Sequence, residues 1–280
     1  MKFTTLTLFL LTAVLCSLTS DLCAAKPQPP NFIIIYMDDL GWGQTSVRMM
    51  DSEPLSKHSF FETPNVKRLA EMGTRFSNAY SPTPTCTGSR VSIQLGQSSA
   101  RAQYRFVNDV LHKKQRPEGY AGSWMIVTGP GIPADTQCDT PVAQWDYLTT
   151  FHDLAGSAAP LPEDLDGVSL RPVLEQGNAG QLDERDTGFV FHFPAFYTVP
   201  ITAYRDGDYK LMRHLNTGEI KLFNVVDDMG ESKDLSQAMP EKTADMIRKL
   251  DAYLEKVGAW KNSNTGWHAA KRRSAKFSRN

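Results

Sequence analysis

Cysteine is scarce in this chain, neither sign of charge prevails, and no sequence repeat is present. Only four cysteines occur in 280 residues, and two of them, Cys16 and Cys23, fall in the first 25 positions. That leaves Cys86 and Cys138, too few for a disulfide-built scaffold. Lys and Arg total 30 against 31 Asp and Glu, a net charge of −1. A chain so balanced lacks the broad positive field that non-specific nucleic-acid binding needs. Hydrophobic residues make up 41% and charged residues 22%, which excludes a disordered or fibrous chain. A chain of this length can bury roughly three quarters of its unfolded surface, enough for one large domain or one large and one small.

Residues 1–25 read as an export signal. Lys2 gives the positive start, an apolar stretch covers 6–18, and Cys23-Ala24-Ala25 offers a small-residue cleavage site. The stretch contains Thr and Ser and is shorter than the ~20 residues of a bilayer span. No second run of spanning length follows, so no membrane span is expected after cleavage, and the destination is periplasmic or secreted.

Pro27 to Pro30 form a short linker, and Asn31-Phe-Ile-Ile-Ile-Tyr-Met37 then runs apolar without alternation. Such a run predicts a strand buried on both faces of a parallel sheet. Thr63-Pro64 predicts a helix start, with Val66, Leu69 and Ala70 on one face and Gly73 as the stop. Further strands are expected over 76–80 and 125–127, and a helix over 141–154. From about Phe189 the pattern changes to antiparallel signals. Asp206-Gly207 predicts a hairpin turn, 221–226 a strand, and 240–257 an amphipathic helix ended by Gly258. The basic tail 261–280 reads as a frayed end.

Three features carry chemistry. Asp38-Asp39 follows the first buried run, where ligands of open α/β sheets bind, and two adjacent carboxylates suit a hard cation such as Ca²⁺. A solvated turn is the plain alternative. Cys86-Thr-Gly-Ser-Arg90 puts a cysteine ahead of a helical stretch and an arginine, a setting that favours anions and thiolates. A small buried cysteine is the plain alternative there. His192, between Phe191 and Phe193, reads first as a packed, hydrogen-bonded core residue.

These motifs occur in a telling order: 31–43 ending Asp-Asp-Leu-Gly-Trp-Gly, Thr63-Pro-Asn-Val-Lys-Arg-Leu69, Gly73-Thr-Arg-Phe76, Cys86-Thr-Gly-Ser-Arg90, Ile126-Val-Thr-Gly-Pro-Gly131. Tyr209-Lys-Leu-Met212 and Lys221-Leu-Phe-Asn224 follow. The set resembles the type I sulfatases, close to the arylsulfatase A and N-acetylgalactosamine-6-sulfatase group. The resemblance implies an alkaline-phosphatase-like α/β sandwich with a central, mostly parallel sheet, plus a small C-terminal antiparallel sheet packed on a helix. It divides the chain into a signal peptide 1–25, an α/β domain 26–185 and a subdomain 186–260. About two dozen residues, roughly 102–124, stand where family members carry a much longer middle segment, so the central sheet is expected to be incomplete.

The resemblance also implies a chemistry. Cys86 would be oxidised by a separate maturation enzyme to formylglycine, whose hydrated aldehyde attacks the sulfur of a sulfate ester. Arg90 would orient that nucleophile, and Asp38, Asp39 and the modified Cys86 would ligate Ca²⁺. Sulfated carbohydrates or aryl sulfates would be the substrates. Two other readings follow from the same residues: an inactive remnant or glycan-binding protein, and a phosphatase using Thr85 or Thr87 as nucleophile.

Overall fold

A computed structural model describes residues 30–37, 40–83, 85–103, 125–194 and 200–259, with position 86 given by its backbone. The chain divides into two units, 1–34 and 35–280. The expected signal peptide 1–25, Asp38, Asp39 and the tail 261–280 lie outside the described residues, as does nearly all of the 102–124 junction.

Helix α1, Pro64–Met72, starts at proline and ends at Gly73, as its local signals dictate. It buries Val66 and Ala70 against Val47 and Met49. Gly73 is needed for space: a Cβ there would stand 2.0 Å from the Val127 carbonyl oxygen. Strand β1, Thr74–Phe76, follows, then the two-residue β2, Ala79–Tyr80. The strand expected over 76–80 is therefore split, because Ser77 and Asn78 turn there. Their side chains hydrogen-bond Asp139, Ser77 Oγ donating to Oδ1 at 2.6 Å and Asn78 Nδ2 to the backbone oxygen at 3.0 Å.

Helix α2 spans Cys86–Leu95. Beyond it come β3, Met125–Val127, β4, Thr136–Cys138, and β5, Val142–Ala143. The helix expected over 141–154 begins late. β5 comes first, a 3₁₀ turn covers Gln144–Asp146, and only then does α3, Tyr147–Leu154, form. β1 pairs antiparallel with β3 and parallel with β4, and β2 pairs parallel with β5. Short α4, Arg171–Gln176, closes this core, placing Val173 and Leu174 on Phe76 and Cys138.

The run 31–37 corrects the sequence reading. It forms no strand, and Ile33 and Ile35 are 87% and 66% exposed. An apolar run becomes a buried strand only where neighbouring strands and covering helices exist. Among the described residues no strand pairs with it.

The C-terminal part is a four-stranded antiparallel sheet: β6, Phe189–Phe193, β7, Ile201–Asp206, β8, Tyr209–His214, and β9, Ile220–Asn224, in sequential order. The register aligns Val190, Tyr204, Leu211 and Leu222 in one row across all four strands. Helix α5, Pro240–Lys256, covers that row with Met246, Leu250 and Tyr253 at helical spacing. The alternate row, Phe191 and Ala203, packs on Trp145 and Ala143 from the opposite side. β7 is thus buried on both faces. The hairpin turn lies one residue later than expected: Asp206 pairs with Tyr209, and the positive φ of +61° falls on Gly207.

Candidate functional site

The segment before Cys86 is held by hydroxyls. Thr83 Oγ1 donates to the Thr85 carbonyl at 2.5 Å and accepts the Thr85 amide at 3.1 Å. Ser89 Oγ donates to the Thr83 carbonyl at 3.1 Å and lies 2.8 Å from Ser81 Oγ. Thr83, Thr85, Thr87 and Ser89 are all buried. Buried hydroxyls are costly unless hydrogen-bonded, so this mutual satisfaction fixes the loop against the first turn of α2.

Cys86 is the first residue of α2. Thr85 before it is extended (φ −135°, ψ 147°) and gives no side-chain cap. The first-turn amides of the helix therefore point toward the Cys86 end without a side-chain acceptor from the capping residue, a setting that attracts anions. Arg90 stands four residues on, one turn along the same face, and is exposed. Asp38 and Asp39 lie outside the described residues. Among the described residues no three His, Cys, Asp or Glu are grouped to hold a metal ion.

His192 is a packed core residue. It is 4% exposed, its Nδ1 lies 2.7 Å from Thr202 Oγ1, and its amide donates to Ser99 Oγ at 3.0 Å. Cys138 is a free, fully buried thiol in β4, and burial raises its pKa above the ordinary value. It fits the inert, apolar role of a buried cysteine.

A charged network behind α2 was not legible in the sequence. The fully buried Asp146 carboxylate receives Arg185 Nη1 and Nη2 at 2.7 and 2.8 Å, the Ala143 amide at 2.8 Å and the Val168 amide at 3.1 Å. Arg185 also stacks 4.5 Å from the Phe189 ring centroid. A second carboxylate, Asp166, receives Ser98, Arg101 and Tyr253. A cavity of about 210 Å³ lies beside Asp166 and Arg185, lined among others by Ser98, Trp145 and Tyr253. No local motif announces these pairs, whose members are 39 to 87 positions apart.

Two family models match the chain. One described as Sulfatase covers residues 30–125, and one described as N-sulphoglucosamine sulphohydrolase, C-terminal, covers 120–259. The chain is 35% identical over 114 residues to N-acetylgalactosamine-6-sulfatase of Homo sapiens, covering 41% of this chain and 19% of that protein. It is 29% identical over 135 residues to Arylsulfatase A of Homo sapiens, covering 42% and 25%. The chain thus spans about a quarter or less of the length of these curated relatives. The crystal structure of Ps i-CgsB matches with a TM-score of 0.60 at 14% identity, over 86% of this chain and 95% of that one. That last likeness concerns the fold.

Proposed function

The chain belongs to the sulfatase family, and from that premise we propose that it is a sulfuric ester hydrolase whose nucleophile derives from Cys86. Its fold is the alkaline-phosphatase-like one, with mixed sheets and a separate antiparallel sheet under a helix. The observation that carries the reading is the placement of Cys86 at the amino end of α2, with Arg90 one turn along.

A sulfate ester gathers negative charge on its oxygens as the bond to the leaving group breaks. First-turn amides and a guanidinium aimed at one place stabilise such charge without reorganising. Arg90 would bind and orient the sulfate group, while the Thr83 and Ser89 hydroxyls hold the backbone at position 86 in place. Oxidation of Cys86 to formylglycine by a separate maturation enzyme would supply the hydrated aldehyde as nucleophile. Asp38 and Asp39 offer hard oxygens suited in type to Ca²⁺. Among the described residues no three His, Cys, Asp or Glu are grouped to hold such an ion. Sulfated sugars are the proposed substrate class, and export by residues 1–25 the proposed route.

The test is co-expression with a formylglycine-forming enzyme, then mass analysis of peptide 76–90 and assays with an aryl sulfate and with sulfated sugars. Conversion at Cys86 together with sulfate release supports the reading. An unmodified thiol and no turnover would sink it.

One observation favours a second reading, a non-catalytic chain that binds sulfated glycans. The run 31–37, which leads into Asp38-Asp39, is largely exposed rather than strand-paired. Retention on a sulfated glycan with a correctly matured but inactive Cys86 would favour it.

A further inference from the structure

Helix α2 begins at Cys86 and ends at Gly96, and the fastening of its far end converges on one carboxylate. Gly96 has φ +65° and closes the helix, its amide donating to the Ser92 carbonyl at 2.9 Å. Its own carbonyl accepts the amides of Asp166 and Gly167 at 3.0 and 3.3 Å. Two residues on, the Ser98 amide donates to Asp166 Oδ2 at 2.7 Å. Arg101 Nε and Nη2 lie 2.9 and 2.8 Å from Oδ1. From α5, the Tyr253 hydroxyl donates to the same Oδ1 at 2.7 Å. With that proton committed, Ser98 Oγ donates to the Tyr253 oxygen across 2.7 Å. The Asp166 and Arg101 side chains are only 9% and 12% exposed.

The loop presenting Asp166 is itself fixed. A Cβ at Gly167 would stand 2.2 Å from the Trp145 carbonyl oxygen, so this backbone lies directly on the 3₁₀ turn that carries Asp146. Burial and the neighbouring Asp166 charge push the Tyr253 hydroxyl well above its ordinary range, so it remains a donor. Every donor around Asp166 is an N–H or O–H that needs an acceptor. A carboxylate satisfies them all, whereas an asparagine must turn its own NH₂ toward one of them.

We propose that Asp166 is a positioning residue of the candidate active site, locking the end of α2 to α5 so that Cys86 and Arg90 are held rigidly. It touches no reacting atom and acts through the helix. The catalytic consequence rests on the sulfatase reading, whereas the rigidity of α2 does not, and the experiment separates the two.

The first arm is amide hydrogen exchange on the full chain carrying Asp166→Asn, with Asp166→Glu and Tyr253→Phe beside it. Exchange within 86–95 is expected to rise about tenfold or more in Asp166→Asn, with a smaller rise in Tyr253→Phe and partial rescue in Asp166→Glu. Leu250→Ala serves as the reference for general destabilisation. If α2 amides exchange as in the unaltered chain, or quicken no more than in a Leu250→Ala protein of matched stability, the proposal is overturned. The second arm uses matured protein and an aryl sulfate. A fall in kcat of roughly ten- to a hundredfold is expected, with KM raised by a smaller factor, because the nucleophile and the Arg90 that binds the sulfate are displaced together. A loss in KM alone would overturn the positioning role. Should the unaltered chain show no turnover, the sulfatase reading fails while the exchange result still decides the role of Asp166 in α2.

Discussion

Arg185 closes on Asp146 as a two-pronged ion pair, its two terminal nitrogens 2.7 and 2.8 Å from the two carboxylate oxygens. The Asp146 side chain is fully buried and that of Arg185 is 13% exposed. The pair joins the 3₁₀ turn after β5 to the segment that enters β6. It therefore fastens the first part of the chain to the antiparallel sheet.

Removing the cation should be severe. Arg185→Met leaves a buried carboxylate with two backbone amides and no counter-charge, and breaking a buried pair on one side costs about 3–5 kcal/mol. Urea denaturation of the variant is the measurement. A loss under about 1 kcal/mol would mean that the pair behaves as an exposed one.

Leu250 marks the hydrophobic contribution of α5. It is fully buried over the row Val190, Tyr204, Leu211 and Leu222. Leu250→Ala is expected to destabilise by about 2–5 kcal/mol through lost transfer energy and a residual cavity. The size of the change in a denaturant melt checks how closely α5 packs on the sheet.

The exposed run gives the opposite expectation. Replacing Ile33 or Ile35 by Thr should alter stability by no more than about 0.5 kcal/mol, the usual range for surface sites. Solubility by light scattering should rise, because an extended apolar segment is a template for association. A loss of several kcal/mol would show that the run is covered in solution.

Cys138 links pH to stability. Burial raises its pKa in the folded chain, while the unfolded thiol ionises near about 8.5. Its contribution is fully present below that value and is lost as pH rises toward the folded pKa, because the unfolded state releases its proton first. Tyr147, Tyr204 and Tyr253, each raised by burial, add to the same fall above pH ~10. Stability measured from pH 7 to 10 should decline, and less steeply in Cys138→Ala. In the native protein Cys138 should also resist alkylation until the chain is denatured. Rapid alkylation of Cys138 without unfolding would contradict both statements.

Local signals set the elements that lie close to the candidate site. Thr63-Pro64 and Gly73 bound α1, and apolar spacing over 240–257 placed α5. Cys86 and Arg90 were legible as one motif ahead of a helical stretch, and the structure adds that both lie within the helix, one turn apart. The hairpin was legible too, although its turn moved to Gly207-Asp208 once the register paired Asp206 with Tyr209.

The sequence by itself determined the family motifs, the helix that Cys86 opens and the antiparallel C-terminal sheet, since each depends on residues within a turn or a hairpin of one another. Tertiary structure alone decided the rest. Whether 31–37 becomes a buried strand depends on neighbouring strands, and Ile33 and Ile35 are instead exposed. Which charges meet depends on topology: Arg185 finds Asp146 across 39 positions, and Tyr253 finds Asp166 across 87. Side-chain chemistry states what each group needs, but only the folded chain decides which partner, at what distance and at what burial, supplies it.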